Sequence, residues 1–156
     1  MPRQPKPATP FSVTHTEEVP APPELVYGLL AEPAQRPQWM TELKRIDGQD
    51  PQRPVQVGDR FEGVSSILFH DFIGVSEVKV AQPPGRLDED VVIGARFTST
   101  WELTESAEGR TLVRHVLEVQ FPGGPFSWIE RLVLRRRLER MQRQSLGNLA
   151  RRWTPH

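Results

Sequence analysis

The chain has 156 residues, of which 37% are hydrophobic and 26% charged, with no cysteine and no formal net charge at pH 7. This composition is typical of a single globular domain that is large enough to bury a core. The lack of cysteine excludes a disulfide framework, thiolate metal ligands and a cysteine nucleophile, and it fits a cytoplasmic protein. No apolar run approaches the ~20 residues of a membrane-spanning helix.

The first ten residues, MPRQPKPATP, hold four prolines and no large apolar side chain after Met1. Such a segment has too little apolar surface to fold, and we predict a disordered lead-in over residues 1–10. It also lacks the apolar core of a secretory signal, so we expect none. We therefore expect one domain over residues 11–153, followed by a tail over 154–156.

At the start of the domain the spacing of apolar residues changes from the alternation of a strand to the spacing of a helix. Apolar residues alternate along Phe11–Val19, which predicts a half-buried strand. The segment PPELVYGLL has apolar residues at helical spacing behind two prolines, which are tolerated at a helix start. Pro33 ends this predicted helix, and a second short helical turn precedes Trp39.

Trp39 stands in the proline-broken stretch AEPAQRPQWM, two residues after Pro37. A tryptophan in such a polar segment has two interpretations. It is either a plug that seals the edge of the core, since tryptophan is usually largely buried, or a lid at the entrance of a cavity. The sequence leaves both open.

A run of strand-like segments follows a proline- and glycine-rich loop. Short turn signals separate them, which predicts antiparallel pairing of neighbours. A short strand in ELKRID precedes the run, whose members are Arg60–Phe69, Phe72–Ala81, Leu87–Ile93, Arg96–Thr104 and Thr111–Phe121.

The last predicted element is a long amphipathic helix over Phe126–Trp153. Its apolar stripe recurs every three to four residues, at Leu134, Leu138, Met141, Ser145 and Leu149. From Arg131 onward the chain holds eight arginines and a single acid, Glu139. The order of elements predicts an α+β fold in which an antiparallel sheet of about six to seven strands wraps around this helix. The space between sheet and helix is the natural place for a cavity.

Four segments in this order resemble the START/polyketide cyclase-like (SRPBCC) helix-grip superfamily over residues 11–153. They are EEVPAPPELVYGLLAEPAQRPQWM, VGDRFEG, FTSTWELTESAEGRTLVRHVLEV and RRRLERMQRQSLGNLARRW. The resemblance implies a deep cavity for an apolar ligand between the sheet and the last helix. The superfamily includes polyketide cyclases, lipid and sterol carriers and quinone chaperones, and it has no universal catalytic motif, so membership alone names no reaction.

Two histidines are the candidates for chemistry. His115 lies on the apolar face of the last predicted strand, and His15 lies on the apolar face of the first. In the helix-grip topology these strands are neighbours, so the two side chains are expected near each other. A neutral imidazole in an apolar cavity either hydrogen-bonds a ligand or acts as a general base. The alternative is a buried histidine that is satisfied by a neighbouring hydroxyl or backbone group. Glu17 is a poorer candidate for a second polar group.

Other chemistries have little support in the sequence. The four histidines are scattered without metal-ligand spacing, and neither a G-x-S-x-G elbow nor a phosphate loop is present. We therefore expect no metal and no cofactor. Asp88, Glu89 and Asp90 are interpreted as a solvated turn at a strand start rather than a catalytic pair.

The basic face of the last helix carries Arg136, Arg140 and Arg143. It is either the solvated side that any amphipathic helix needs or a contact for an anionic partner such as phospholipid headgroups. Nucleic-acid binding is not expected, because RNA-binding surfaces usually interleave aromatic with basic residues and only Trp128 and Trp153 flank this helix.

The leading hypothesis is a protein that binds a small apolar or aromatic ligand, such as a lipid, a quinone or a polyketide-like compound. The alternatives are a cyclase or dehydratase with His115 or His15 as general base, and an interaction module that works through the basic helix. The predicted lining residues are Trp39, Phe61, Phe69, Phe97, Trp101, His115, Leu138 and Met141.

Overall fold

A computed structural model describes residues 10–50, 53–67, 70–120 and 127–154. Apart from Pro10 and Thr154, the predicted lead-in and tail lie outside the described residues, as does Phe69. The helices are α1 (Pro23–Leu30), a 3₁₀ helix (Pro33–Gln38) and α2 (Ser127–Arg151). The strands are β1 (Phe11–Val19), β2 (Leu43–Asp47), β3 (Arg60–Ile67), β4 (His70–Gln82), β5 (Arg86–Ile93), β6 (Ala95–Ala107) and β7 (Arg110–Gln120).

Within the described residues, seven strands form one antiparallel sheet in the order β1-β7-β6-β5-β4-β3-β2. From β2 onward each strand pairs with the next along the chain, and short connections of one to three residues join β4 to β5, β5 to β6 and β6 to β7. Strand β1 lies at the edge of the sheet opposite β2, where it pairs with β7. This arrangement, with two short helical segments after β1 and a long helix at the end, confirms the predicted α+β helix-grip fold.

The pairing of β1 with β7 places His15 directly opposite His115. Residues opposite each other in an antiparallel pair point to the same face of the sheet. Val13 opposes Leu117 and Phe11 opposes Val119 on that same face. The predicted proximity of the two histidines is therefore confirmed.

Prolines determine where the chain turns between β1 and β2. Pro23 occupies the start of α1, where a missing N–H costs nothing, and Pro33 begins the 3₁₀ helix in the same way. Pro37 cannot donate a backbone hydrogen bond, and the helix ends one residue after it. The carbonyl of Arg36 instead accepts from the N–H groups of Trp39 and Met40 at 3.0 and 2.7 Å. This geometry holds both Arg36 and Trp39 on the inner side of the turn, where both are buried.

Helix α2 packs against the face of the sheet that carries the apolar residues of β1 and β7, and two hydrophobic clusters form there. The larger cluster joins α1, the two tryptophans Trp39 and Trp101, and the C-terminal part of α2 at Leu146 and Leu149. The smaller cluster joins Phe11 and its neighbours on β1 and β7 to the middle of α2. Burial of such side chains stabilises the fold by about 1.5–3 kcal/mol each.

The predicted stripe of α2 lies on its inner side. Leu138, Ser145 and Leu149 are buried, whereas Arg136, Arg140 and Arg143 are exposed on the opposite side. The amphipathic pattern thus assigned the helix faces correctly. Neither this helix nor any other in the described part of the chain is long and apolar enough to cross a membrane.

Candidate functional site

A cavity of about 580 Å³ lies between the inner face of the sheet and helix α2. Every strand from β2 to β7, the 3₁₀ helix, residues 40–42 and the segment 134–141 of α2 contribute to its wall. Most lining side chains are apolar, among them Leu43, Ile46, Phe72, Val91, Ile93, Phe97, Leu117, Leu134, Leu138 and Met141. Gly63 and Gly74, which face each other across β3 and β4, also line it.

Six of the predicted lining residues are found in the cavity wall. They come from β3, β6, β7 and α2, and they are Phe61, Phe97, Trp101, His115, Leu138 and Met141. Phe69 lies outside the described residues.

Trp39 does not line the cavity, contrary to the prediction. Its side chain is only 2% exposed and packs edge-on against Trp101, with ring centroids 5.8 Å apart. Its backbone carbonyl accepts a hydrogen bond from Asn148 of α2 at 3.1 Å. Trp39 therefore lies behind the Trp101 wall as a core residue. Of the two interpretations of Trp39 in the stretch AEPAQRPQWM, this geometry matches the plug.

A band of polar side chains crosses the inner face of the sheet over four strands. Glu89 on β5 is directly opposite Ser99 on β6, and His115 on β7 is opposite Trp101, one inward-facing position further along β6. Ser76 on β4 is also buried and lines the same wall. Alternation along these strands predicts an apolar inner face. That face nevertheless carries a group of buried polar side chains, which form one end of the cavity.

Arg36 and Glu89 form a buried ion pair at this polar end. The two guanidinium nitrogens donate to the two carboxylate oxygens at 2.8 and 2.5 Å, and Arg36 also donates to the carbonyl of Leu30 at 2.9 Å. The side chains are 6% and 2% exposed. Two charges removed from water in this way require each other, because either alone would remain uncompensated.

The interpretation of residues 88–90 as a solvated turn is wrong, because all three lie in a strand and both Asp88 and Glu89 are buried. These residues lie within β5, and Glu89 points inward with Leu87 and Val91, while Asp88 binds Arg86 on the other face. The alternation of Leu87, Glu89 and Val91 was the signal that could have revealed this. Burial and the nearby Glu89 carboxylate also raise the pKa of the Tyr27 hydroxyl.

His115 is held by hydrogen bonds on both ring nitrogens. The side-chain nitrogen of Gln142 lies 3.2 Å from the carbonyl oxygen of Val13 and 3.0 Å from that of His115, so it donates to these acceptors. The same nitrogen lies 3.0 Å from Nδ1 of His115. An amide nitrogen does not accept hydrogen bonds, so Nδ1 cannot donate to it and shares one of the two amide protons with the carbonyl oxygens. The ring proton is therefore on Nε2, which donates to Oγ of Ser99 at 2.8 Å.

His115 is also stacked on Trp101, with ring centroids 3.9 Å apart and an interplanar angle of 23°. Burial, followed by the charges of Arg36 and His15, lowers the pKa of His115 to about 3. The imidazole is therefore neutral at physiological pH. It is held by partners in the manner of a satisfied buried histidine while still contributing to the cavity wall.

His15 does not line the cavity, although it is the cross-strand partner of His115. Its side chain is 25% exposed, and its Nε2 lies 2.8 Å from the carboxylate of Glu17. The two polar candidates of β1 thus pair with each other at the edge of the sheet. The described residues contain no group of three or more histidine, aspartate or glutamate side chains arranged to hold a metal.

The opposite end of the cavity reaches the surface between α2 and the start of β2. There Arg137 of α2 donates to the carboxylate of Glu42 at 2.7 Å, and both half-exposed side chains line the cavity. Glu42 has a φ of 70°, a conformation that few residues other than glycine adopt. Phe72, which is 44% exposed, lines the same end. The cavity thus has a polar inner end, an apolar middle and an outer end near solvent.

The fold and the cavity together define a START-like helix-grip domain with an internal ligand-sized cavity. The sequence profile of the family described as polyketide cyclase/dehydrase and lipid transport matches residues 10–154. The chain belongs to this family. No curated protein matches the sequence significantly.

Solved structures with low sequence identity share the fold. A Thermus thermophilus protein has a TM-score of 0.70 at 16% identity, covering 92% of this chain and 99% of its own. The Zhui aromatase/cyclase from a Streptomyces species has a TM-score of 0.68 at 14% identity, covering 94% and 97%. A START superfamily protein from Mycobacterium smegmatis has a TM-score of 0.62 at 17% identity, covering 90% and 92%. At these identities the similarity concerns the fold alone.

Proposed function

We propose that the protein binds a small, largely apolar or aromatic molecule, such as a lipid, a quinone or a polyketide-like compound, inside the cavity. The observation that carries the proposal is the cavity itself. Its volume of about 580 Å³ lies within the range of roughly 300–1,000 Å³ that is typical of small-molecule sites. Its wall is mainly apolar with a few polar groups at one end, which is the composition of such sites.

Most of the binding free energy would come from apolar area that the ligand removes from water, at ~25 cal/mol per Å². Phe61, Phe97, Leu138 and Met141 would supply that area from opposite sides of the cavity. Trp101 would present a rigid aromatic surface at the inner end. The polar groups there would orient the ligand rather than provide most of the affinity.

A cyclase or dehydratase that uses a histidine as general base has weaker support. A pKa of about 3 makes His115 a poor proton acceptor near neutral pH, and its Nδ1 already accepts from Gln142. His15, the other candidate, lies outside the cavity wall and pairs with Glu17. The proposal is therefore a binding protein rather than an enzyme of this type.

Nile red, an uncharged aromatic dye whose fluorescence rises in apolar surroundings, tests the binding proposal. The wild-type protein should bind it at a single site. Met141→Trp, which places a larger ring into the cavity, should weaken binding at least about tenfold, since overlap with a filled site forfeits more than ~1.4 kcal/mol.

Gln144→Trp is the matched control, because Gln144 is exposed on the same helix and the added ring would extend into solvent. Unchanged affinity in both variants, with unchanged thermal stability, would mean that the dye binds elsewhere. Native mass spectrometry of the protein as purified would complement this assay by revealing the mass of a co-purified ligand.

The outer face of α2 supports an additional proposal, which is contact with an anionic membrane. Leu132 and Val133 are exposed at the N-terminal part of the helix, 45% and 62% respectively. At 3.6 residues per turn, they fall on the same face as the exposed Arg136, Arg140 and Arg143. An apolar patch joined to a basic stripe is the pattern of helices that lie in a membrane interface. This face begins next to Leu134 and Arg137, which line the outer end of the cavity.

Co-sedimentation with vesicles of phosphatidylglycerol and of phosphatidylcholine tests this contact. Binding should require the anionic lipid and should fall in high salt, and Leu132→Ser together with Arg140→Glu should abolish it. Glu108→Gln, a change in the turn between β6 and β7, should leave it unchanged. Absence of binding to the anionic vesicles, or binding to an RNA oligonucleotide instead, would overturn the membrane proposal.

A further inference from the structure

We infer that the inner end of the cavity selects ligands with an uncharged hydrogen-bond acceptor, such as a ketone or quinone carbonyl, and that the hydroxyl of Ser99 donates to it. This inference rests on the proposed ligand-binding function and specifies the chemistry of the ligand. It assigns a specificity-determining role to Ser99 and a positioning role to His115. Three observations at the inner end support it: the direction of the hydrogen bonds that join His115 to Ser99, the buried donors that have no partner, and the neutral total charge of the polar side chains.

The orientation of the Gln142 amide determines the direction of the hydrogen bonds around His115. Its amide nitrogen faces two backbone carbonyl oxygens, those of Val13 and His115, and therefore donates. Nδ1 of His115 faces this nitrogen, which cannot accept a hydrogen bond, so Nδ1 is unprotonated. Nε2 therefore carries the ring proton and donates to Oγ of Ser99. A serine hydroxyl has a single proton, which Oγ does not use when it accepts from His115. Ser99 lines the cavity, so its proton is available to a ligand.

Two further donors at this end have no partner among the described residues. They are Nε of Arg36 and Nε1 of Trp101, and both atoms are buried in residues of the cavity wall. A buried donor without a partner costs roughly 1–3 kcal/mol. The carboxylate oxygens of Glu89 are already engaged by Arg36. Oε1 of Gln142 is a buried acceptor without a partner among the described residues, but Gln142 is not part of the cavity wall. The inner end therefore offers more free donors than free acceptors, and an acceptor on the ligand matches it.

The charge balance determines which acceptor fits. Arg36 is neutralised by Glu89 through two hydrogen bonds. The buried His115 ring is neutral, since a second ring proton on Nδ1 would face the Gln142 amide nitrogen, which cannot accept it. A ligand carboxylate placed here would lie near the Glu89 carboxylate with no unpaired cation to offset it. Desolvating an uncompensated charge costs several kcal/mol. A neutral carbonyl oxygen accepts the same hydrogen bonds without this penalty.

The rest of the cavity wall determines the chemistry of the ligand beyond its acceptor group. Beyond Ser99 the neighbouring inward residues are Phe97 on β6 and Leu117 on β7, and Leu138 and Met141 face them from α2. These side chains offer no hydrogen bonds. The ligand class is therefore an apolar ring system or chain that ends in a neutral carbonyl group.

Three rigid compounds of similar shape test the inference by calorimetry at pH 7. Fluorenone carries a neutral carbonyl, fluorene replaces it with a methylene group, and fluorenecarboxylate carries a charge. The wild-type protein should bind fluorenone about 3- to 10-fold more tightly than fluorene, the ratio expected for one hydrogen bond of roughly 0.5–1.5 kcal/mol. Fluorenecarboxylate should bind more weakly than fluorene.

Variants of Ser99 test the assignment of the donor. Ser99→Ala should remove the preference for fluorenone while leaving the affinity for fluorene within about twofold, which shows that the variant remains folded. Ser99→Thr keeps the hydroxyl and should retain the preference. Ser65→Ala is the matched control, since Ser65 also lines the cavity but lies on β3 opposite Phe72. It should leave the ratio unchanged.

The outcomes separate the inference from the proposed function. Equal affinities for fluorenone and fluorene in the wild type would overturn the inference while leaving the binding function in place. Equal loss of the preference in Ser99→Ala and Ser65→Ala would overturn the assignment of the donor. Tighter binding of fluorenecarboxylate than of fluorenone would overturn the charge argument. Failure of fluorenone, fluorene and Nile red alike to bind would instead contradict the proposed function.

Discussion

His115 combines several environments in one side chain. It is 5% exposed, stacked on Trp101, and hydrogen-bonded to Gln142 and Ser99 through its two nitrogens. The histidine sits on an otherwise apolar strand face, and the sequence left open whether it is a base or a satisfied polar group. Its partners support the second interpretation, because both ring nitrogens lie within hydrogen-bond distance of side chains, Ser99 and Gln142. The residue still contributes to the site by orienting the hydroxyl of Ser99.

The buried pair Arg36–Glu89 and the half-exposed pair Arg137–Glu42 predict very different losses of stability. Glu89→Gln leaves the Arg36 guanidinium uncompensated and should lower the free energy of unfolding by about 3–5 kcal/mol. Arg137→Met removes a pair that water screens, and it should cost no more than about 1 kcal/mol. Urea denaturation at pH 7 measures both.

A double variant provides the control for the buried pair. Arg36→Met with Glu89→Leu removes both charges at once and should recover most of the stability lost in Glu89→Gln, because no buried charge remains unpaired. Similar losses in Glu89→Gln and Arg137→Met would contradict the assignment of Glu89 to the buried pair.

At the scale of elements, the proline-broken segment between α1 and β2 places Arg36 and Trp39 at different depths in the protein. Pro33 starts the 3₁₀ helix and Pro37 limits it, and this short turn directs Arg36 into the cavity wall and Trp39 into the core behind Trp101. A regular helix would separate these side chains by close to one turn along one face. Because Pro37 ends the helix here, Trp39 follows it with a φ of −132°, outside helical geometry, while Arg36 remains inside the helix.

Trp39 and Trp101, which pack edge-on against each other, should respond differently to substitution. Trp39→Phe should lower the free energy of unfolding by about 1–3 kcal/mol, through a smaller buried volume, but leave Nile red affinity unchanged. Trp101→Phe should lower the affinity as well, because Trp101 is part of the cavity wall.

Nile red titration and urea denaturation of both variants separate the two effects. A loss of Nile red affinity in Trp39→Phe equal to that in Trp101→Phe would mean that Trp39 takes part in binding. The placement of Trp39 as a plug behind the wall would then be wrong.

For the whole molecule, the sheet and α2 enclose a space that neither could form alone. Two hydrophobic clusters hold the helix at its C-terminal and middle parts, and the cavity extends beside its N-terminal half, where Leu134 and Arg137 line it. Gly63 and Gly74 face each other in the wall, and a Cβ on either would lie within about 3.4 Å of a neighbouring side chain. The cavity is thus a property of the complete fold.

The depressed pKa of His115 predicts a loss of global stability in acid. The unfolded chain binds a proton at His115 below pH 6.5, whereas the folded chain does so only near pH 3. Between these values the unfolded state is favoured as pH falls, by about 1.4 kcal/mol per pH unit for this single group. Above pH 6.5 the group contributes no pH dependence.

His115→Phe isolates this contribution, because it removes the titrating group and leaves all others. The pH dependence of its unfolding free energy between pH 6 and 4 should be shallower than that of the wild type by up to ~1.4 kcal/mol per unit. Parallel profiles for the two proteins would show that His115 is not held neutral in the folded state.

The amino-acid sequence by itself determined the order of elements, the antiparallel sheet, the long final helix and most of the apolar cavity wall. These features follow from local periodicity, since alternation and helical spacing report which side of an element faces the core. The inward directions of Phe61, Phe97, Trp101, His115 and Leu138 were read in this way.

The tertiary structure alone decided the polar end of the cavity and the place of Trp39. Arg36 and Glu89 are separated by 53 residues, and His115 and Gln142 by 27. No local pattern encodes such pairings, because they depend on which strands are neighbours and on the register between them. A buried charge or an oriented histidine proton is a relation between distant residues, and it exists only once the sheet and helix have closed around it.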